Sequence, residues 1–162
     1  MLKFGVLMDL PEGKRAGYYA QIVKALADAV EVFDRDKELI VVDDAEAARR
    51  TAEVLEKYRV GWEPMRLWLL PEGAALPASA AEYGFESKFG NAYLYADRVA
   101  LFRVPNEQEA GAELAPALLQ IEEFVLLVYV EGATKTYACE PHLRETVEGV
   151  ARRYRVAVQF IL

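Results

Sequence analysis

The sequence predicts a single three-layer α/β domain, residues 1–162, whose largely parallel sheet is covered by helices and interrupted by an inserted, partly antiparallel segment from about Pro71 to Val104. Three observations carry this. The chain has 162 residues of which 54% are hydrophobic, enough for one sizeable core in the usual domain range of roughly 100–200 residues. Between Met1 and Leu70, short apolar runs alternate with amphipathic stretches, a β-α-β-α-β series that right-handed crossovers turn into a parallel sheet. The runs themselves, such as Leu39-Ile40-Val41-Val42, are continuously apolar and β-branched, as strands buried on both faces are.

Leu2 to Leu10 reads as the first strand, stopped by the turn signal Pro11-Glu12-Gly13. From Arg15 to Phe33 the residues Tyr19, Ile22, Val23, Leu26, Val30 and Phe33 recur at helical spacing, predicting a helix laid on the sheet. Asp34-Arg35-Asp36-Lys37 reads as a charged turn and Glu38–Val42 as the second strand. Asp43, three residues before Glu46, gives a capping box that opens a second helix with Ala47, Thr51, Val54, Leu55 and Tyr58 on one face. Met65 to Leu70 is the third strand. Pro71 to Asn91 has no sustained period and reads as a long surface excursion, with a short helix around Ala78 to Tyr83. Ala92 to Val104 fits a hairpin turning near Asp97-Arg98. A further helix is expected from a cap at Asn106, kinked by Pro116, followed by the strongly apolar strand Phe124–Val130. Gly132 to Glu140 reads as a polar connection, Pro141 as the first turn of the last helix, and Val156–Leu162 as a closing strand. No internal repeat is visible.

Composition narrows the function. The formal charge of −7, from 26 acidic and 19 basic residues, repels polyphosphate at long range and argues against general nucleic-acid binding. No apolar run approaches the ~20 residues that span a bilayer, and Met1-Leu2-Lys3-Phe4 does not begin as a secretory signal, so a cytoplasmic protein is expected. Four threonines, two serines, two asparagines and four glutamines, set against many charges, are the composition of a heat-adapted source. Cys139 and His142, the sole residues of their types, are two ligands where a structural zinc wants four, so no metal and no other cofactor is expected. Cys139 reads as a buried or partly exposed structural thiol, and Tyr18, Tyr19, Trp62 and Trp68 as core or interface packing residues.

In a parallel sheet ligands gather at strand carboxyl ends, which directs attention to three loops. Lys14 and Arg15, between Gly13 and Gly17, could hold a phosphate or carboxylate, although Met8 and Arg15 break the nucleotide-triphosphatase pattern. Asp43 and Asp44 read as caps. Gly132-Ala133-Thr134-Lys135-Thr136 holds half of the threonines, a flexible glycine and an ammonium, the groups that converge on anions.

The order strand, Gly-x-Thr-Lys, helix, strand resembles the Gly-Gly-Thr-Lys motif of CRISPR-associated Rossmann-like (CARF) domains. The resemblance covers Gly132 to Thr136 and the element order around them, and Ala133 replaces the second glycine. It implies a Rossmann-like fold that binds cyclic oligoadenylates at a dimer interface, with Thr134 and Lys135 on phosphate. Two functions are therefore expected as alternatives. One is a regulatory, non-enzymatic domain binding an anionic or nucleotide-phosphate ligand through Lys14, Arg15, Thr134, Lys135 and Thr136. The other is a non-catalytic assembly subunit that forms a homodimer or docks through Tyr83–Tyr95 or the terminal strand.

Overall fold

A computed structural model describes residues 1–10 and 16–161, with Ala16 described by its backbone alone. The chain divides into two compact units, Met1–Leu69 with Glu86–Tyr95, and Leu70–Phe85 with Ala96–Leu162. The strand registers among the described residues are all antiparallel. This overturns the largely parallel, Rossmann-like sheet.

The first unit begins with β1 (Leu2–Asp9), α1 (Ala16–Ala29), β2 (Asp34–Asp36), β3 (Leu39–Val42), α2 (Ala45–Lys57) and β4 (Gly61–Leu69). With the later strands β5 (Gly84–Glu86) and β6 (Ala92–Tyr95), the sheet order is β2-β3-β1-β4-β6-β5. The strand omitted from the sequence reading decides the topology. Asp34-Arg35-Asp36 looks like a solvated turn, but Asp34 is buried and its carboxylate is filled with hydrogen bonds. The Tyr93 hydroxyl donates at 2.7 Å, Asn91 Nδ2 at 2.9 Å and the Arg35 amide at 2.7 Å. Burial pushes the Asp34 pKa up, but the hydrogen bonds from Tyr93, Asn91, Ser87 and the Arg35 amide together outweigh it and hold the group below its ordinary value. The residues form an edge strand, and the two-residue turn Lys37-Glu38 sends β3 back antiparallel between β2 and β1. Both strand-helix-strand crossovers are present, but each skips a strand. The result is the β-α-β-β-α-β split arrangement of ferredoxin-like folds.

Helical spacing places Ile22 and Leu26 of α1, Val30 just beyond its end, and Ala47 and Leu55 of α2 in one core with Val6, Met8, Ile40 and Val42 of the sheet. The helix cap is Asp44, which accepts from the Ala47 amide at 2.7 Å. Asp43, expected as the cap, instead pairs with the buried ammonium of Lys3. On β1, Gly5 is required by close approach, since a Cβ there would lie 2.7 Å from Met65 Cγ and 3.0 Å from Leu39 Cδ1.

The second unit repeats the pattern with β7 (Ala100–Arg103), α3 (Leu114–Ile121), β8 (Val125–Glu131), β9 (Thr134–Cys139), α4 (Arg144–Arg153) and β10 (Gln159–Ile161), in sheet order β10-β7-β9-β8. Phe102, Ile121, Tyr137, Cys139 and Val147 form its core. The expected hairpin Ala92–Val104 is not one, because β6 pairs with β4 while β7 pairs with β9 and β10. Asn106 does not cap a helix either. The helix starts at Leu114 after Glu113, which places Pro116 in the first turn where its missing N–H has no intrahelical partner to lose. The excursion is anchored in parts: Ser79 Oγ donates to the Leu126 carbonyl at 2.7 Å and the Tyr83 hydroxyl donates to Glu140, whereas Asn91 serves Asp34.

The repeat has one trace in sequence. Tyr58-Arg59-Val60 ends α2 and Tyr154-Arg155-Val156 ends α4. In each, the arginine is left-handed, with φ 55° and 58°. The valine amide returns to the carbonyl five residues earlier, at 3.0 Å to Leu55 and 2.8 Å to Ala151, a Schellman closure. The buried valine then starts the path to the last strand.

Two outcomes follow from these contacts. Asp34→Ala should cost about 3 kcal/mol by removing the carboxylate that accepts from Tyr93, Asn91 and the Arg35 amide. Because the folded carboxylate titrates below its unfolded value, its stabilisation is present above about pH 4 and lost as pH falls further. Urea melts from pH 7 to pH 2.5 should therefore show a smaller acid loss in the variant than in the parent. Arg59→Gly should raise stability by about 1 kcal/mol, because glycine adopts the left-handed C′ conformation without a Cβ clash; an unchanged or lower melting temperature would contradict this.

Candidate anion-binding cleft

Strands β8 and β9 are joined by Gly132-Ala133, with Glu131 opposite Thr134. Gly132 has φ 59° at the first turn position, the conformation that favours glycine in a two-residue type II′ hairpin. The segment expected as a loop leading into a helix is thus a tight turn followed by a strand. Tyr137 and Cys139 enter the helix-covered core, while Thr134, Thr136 and Ala138 point to the opposite face. Lys135 shares the face of Tyr137, its Nζ 5.3 Å from the ring centroid.

Arg103, the last residue of β7, lies opposite Thr136 on β9 and opposite Gln159 on β10. Its Nε donates to Thr136 Oγ1 at 3.4 Å. The chain then turns away through Val104-Pro105-Asn106, leaving a cleft of about 250 Å³ bounded also by Ala133, Thr134, Lys135 and Gln159. Arg103 and Lys135 form no ion pair with a described residue. Beneath them, burial and then the Glu131 carboxylate push the Tyr129 phenol up, against the hydrogen bond with Thr136 and the charge of Arg103. The cleft is thus lined by residues that carry a guanidinium, an ammonium, two amides and a hydroxyl, a donor-rich set of residue types suited to an anion.

Of the residues singled out in sequence, Thr134 and Lys135 line this cleft. Thr136 does not: it is buried, and its role is to hold Arg103. Lys14 and Arg15 lie outside the described residues. Sequence reasoning missed Arg103, Asn106 and Gln159, which come together through the register of β7, β9 and β10. Asn106 and Gln159 belong to two of the rarest residue types in the chain, and Gln159 interrupts an apolar terminal run, which were the available signals.

The corresponding place in the first unit, formed by the end of β1, the β2–β3 turn and the start of β4, is lined by Asp9, Glu38 and Glu63. Among the described residues, the repeated position is lined by acidic rather than basic side chains. Among the described residues no group of three His, Cys, Asp or Glu could hold a metal ion. No described helix is long and apolar enough to cross a membrane. No protein-family model matches the chain, and no curated protein matches its sequence.

Cys139 and His142 do not form a reactive pair. Cys139 is fully buried, and burial followed by the Glu140 charge pushes its thiol up to about 11. His142 is exposed, with Nε2 3.2 Å from Glu140. At pH 8 the native protein should show no thiol to a disulfide reagent within minutes, and one thiol per chain in guanidinium chloride; rapid labelling of the native protein would contradict the burial.

Proposed function

We propose that the second unit is a binding module for a small anion carrying a phosphate or carboxylate group, held by Arg103 and Lys135 and oriented by Asn106, Thr134 and Gln159. The observation that carries this reading is a cleft lined by two cationic residues, neither with an acidic ion-pair partner among the described residues, in a chain of net charge −7. The lining groups are donors with the chemistry of binding and orientation. A cleft of about 250 Å³ has room for one phosphate-bearing group, not for an entire cyclic oligoadenylate. Of the Tyr83–Tyr95 segment named in the assembly alternative, Tyr93 and Leu94 are buried, Tyr83 is held by Glu140 and Phe89 is exposed.

Thermal melts with inorganic phosphate, pyrophosphate, citrate and a cyclic oligoadenylate test the reading. Ligand-induced stabilisation is expected with at least one of the three small anions, growing with its concentration and weakening in 0.5 M salt, roughly as screened charges require. Arg103→Ala and Lys135→Ala should each remove at least half of the shift. No shift with any small anion at millimolar concentration, or a shift unchanged in both variants, would overturn it.

A further inference from the structure

A second cavity, of about 480 Å³ within the first unit, is lined by Tyr19, Arg35, Asp36, Lys37, Lys88 and Phe89. Its volume is in the range of small-molecule sites, about 300–1,000 Å³. Its three cations form no ion pair with a described residue, although the chain has 26 carboxylates. The single lining carboxylate, Asp36, accepts the Lys88 backbone amide at 3.1 Å, a bond that fastens the turn and leaves the Lys88 ammonium uncommitted.

The aromatic residues complete the pattern. Phe89 is 74% exposed at the tip of the Ser87–Asn91 turn. That turn is not slack: the Ser87 amide donates to the Asn91 carbonyl at 2.8 Å and the Gly90 amide to the Ser87 carbonyl at 2.9 Å. Asn91 in turn binds Asp34, so an outward-facing ring is mounted on a turn bolted to β2. Across the cavity the Tyr19 hydroxyl donates to the Lys37 carbonyl at 2.9 Å, and the Arg35 guanidinium stands 6.0 Å from the Tyr19 ring centroid. An apolar partner would gain nothing from three cations without an ion pair among the described residues, and a bare anion would gain nothing from an exposed ring on a hydrogen-bonded turn.

We propose that this pocket binds a nucleotide, its base stacked on Phe89 and its phosphate held by Arg35, Lys37 and Lys88. A free mononucleotide and an unstacked nucleotide of a single-stranded RNA present the same chemistry, and base-on-aromatic stacking serves both. The net charge of −7 favours the free mononucleotide, since a polyanion is repelled before it reaches the pocket.

Calorimetric titration of the full chain separates the possibilities, run also in an Arg103→Ala/Lys135→Ala background that disables the cleft of the second unit. The probes are adenosine 5′-monophosphate, adenosine, inorganic phosphate and a short oligoadenylate RNA. The monophosphate should bind in both backgrounds, more tightly than adenosine or phosphate. Phe89→Ala should weaken it by roughly tenfold, the scale of losing one stacked base, Phe89→Trp should retain it, and Lys88→Ala should weaken it and flatten its salt dependence. Phe89-dependent binding of the RNA alone would support the pocket with a chain nucleotide as occupant. Absence of binding by both the monophosphate and the RNA at millimolar concentration would overturn the proposal, as would phosphate binding as tightly as the monophosphate with Phe89→Ala without effect. Loss of all binding in the double variant would assign the ligand to the cleft and likewise overturn it.

Discussion

A two-residue turn can join neighbouring strands only if they run antiparallel, and this constraint governs both halves of the chain. In one unit it acts at Lys37-Glu38, in the other at Gly132-Ala133, each between the second and third strands of a β-α-β-β-α-β unit. In both units the third strand lies between the second and the first, so that the helices cross over an occupied position. The turns also decide what stands at that end of each sheet. Glu38 and its acidic neighbours occupy it in one unit, Thr134 and Lys135 with Arg103 in the other.

The elements with strong period were legible in the sequence. The apolar faces of α1 and α2, the strand around Leu127 and the start of the last helical segment at Pro141 all follow from spacing or from proline chemistry. What failed was adjacency. Asp34-Arg35-Asp36 carries no apolar residue, and it becomes a strand because Tyr93 and Asn91, distant in sequence, satisfy Asp34. Thr134–Cys139 runs as three polar residues followed by three apolar ones, with no period-two pattern to mark a strand, and with Gly132-Ala133 before it the threonines read as a loop. The repeated Tyr-Arg-Val closure is three residues long, too short to announce a repeat, yet it performs the same backbone turn twice. Of the cleft, Thr134 and Lys135 could be found locally, while Arg103 and Gln159 depend on strand register.

The scarcity of small polar residues acquires a structural meaning. Both serines and both asparagines hold specific places: Ser87 and Asn91 at the buried Asp34, Asn106 in the cationic cleft and Ser79 on the Leu126 carbonyl. Cations are distributed as selectively. Arg49 lies between Glu46 and Glu53 on α2, an exposed arrangement worth little to stability. Arg103 with Lys135, and Arg35 with Lys37 and Lys88, instead face cavities. In a chain with excess negative charge, such local reversals of charge are the feature on which both proposed anion sites rest.

The hydrogen bond from Ser79 to the Leu126 carbonyl has a consequence for how the protein behaves in a crowd. Strand β8 is the outer strand of its sheet and carries Val128 and Val130 in exposed positions, the kind of border onto which another chain can add by backbone pairing. The serine occupies a backbone acceptor on that border, and an irregularity between Val125 and Leu127 breaks the even spacing that an incoming strand would need to match. One hydroxyl and one bulge thus guard the most apolar strand of the chain against fibril-like stacking, at the cost of a single position in the connecting segment.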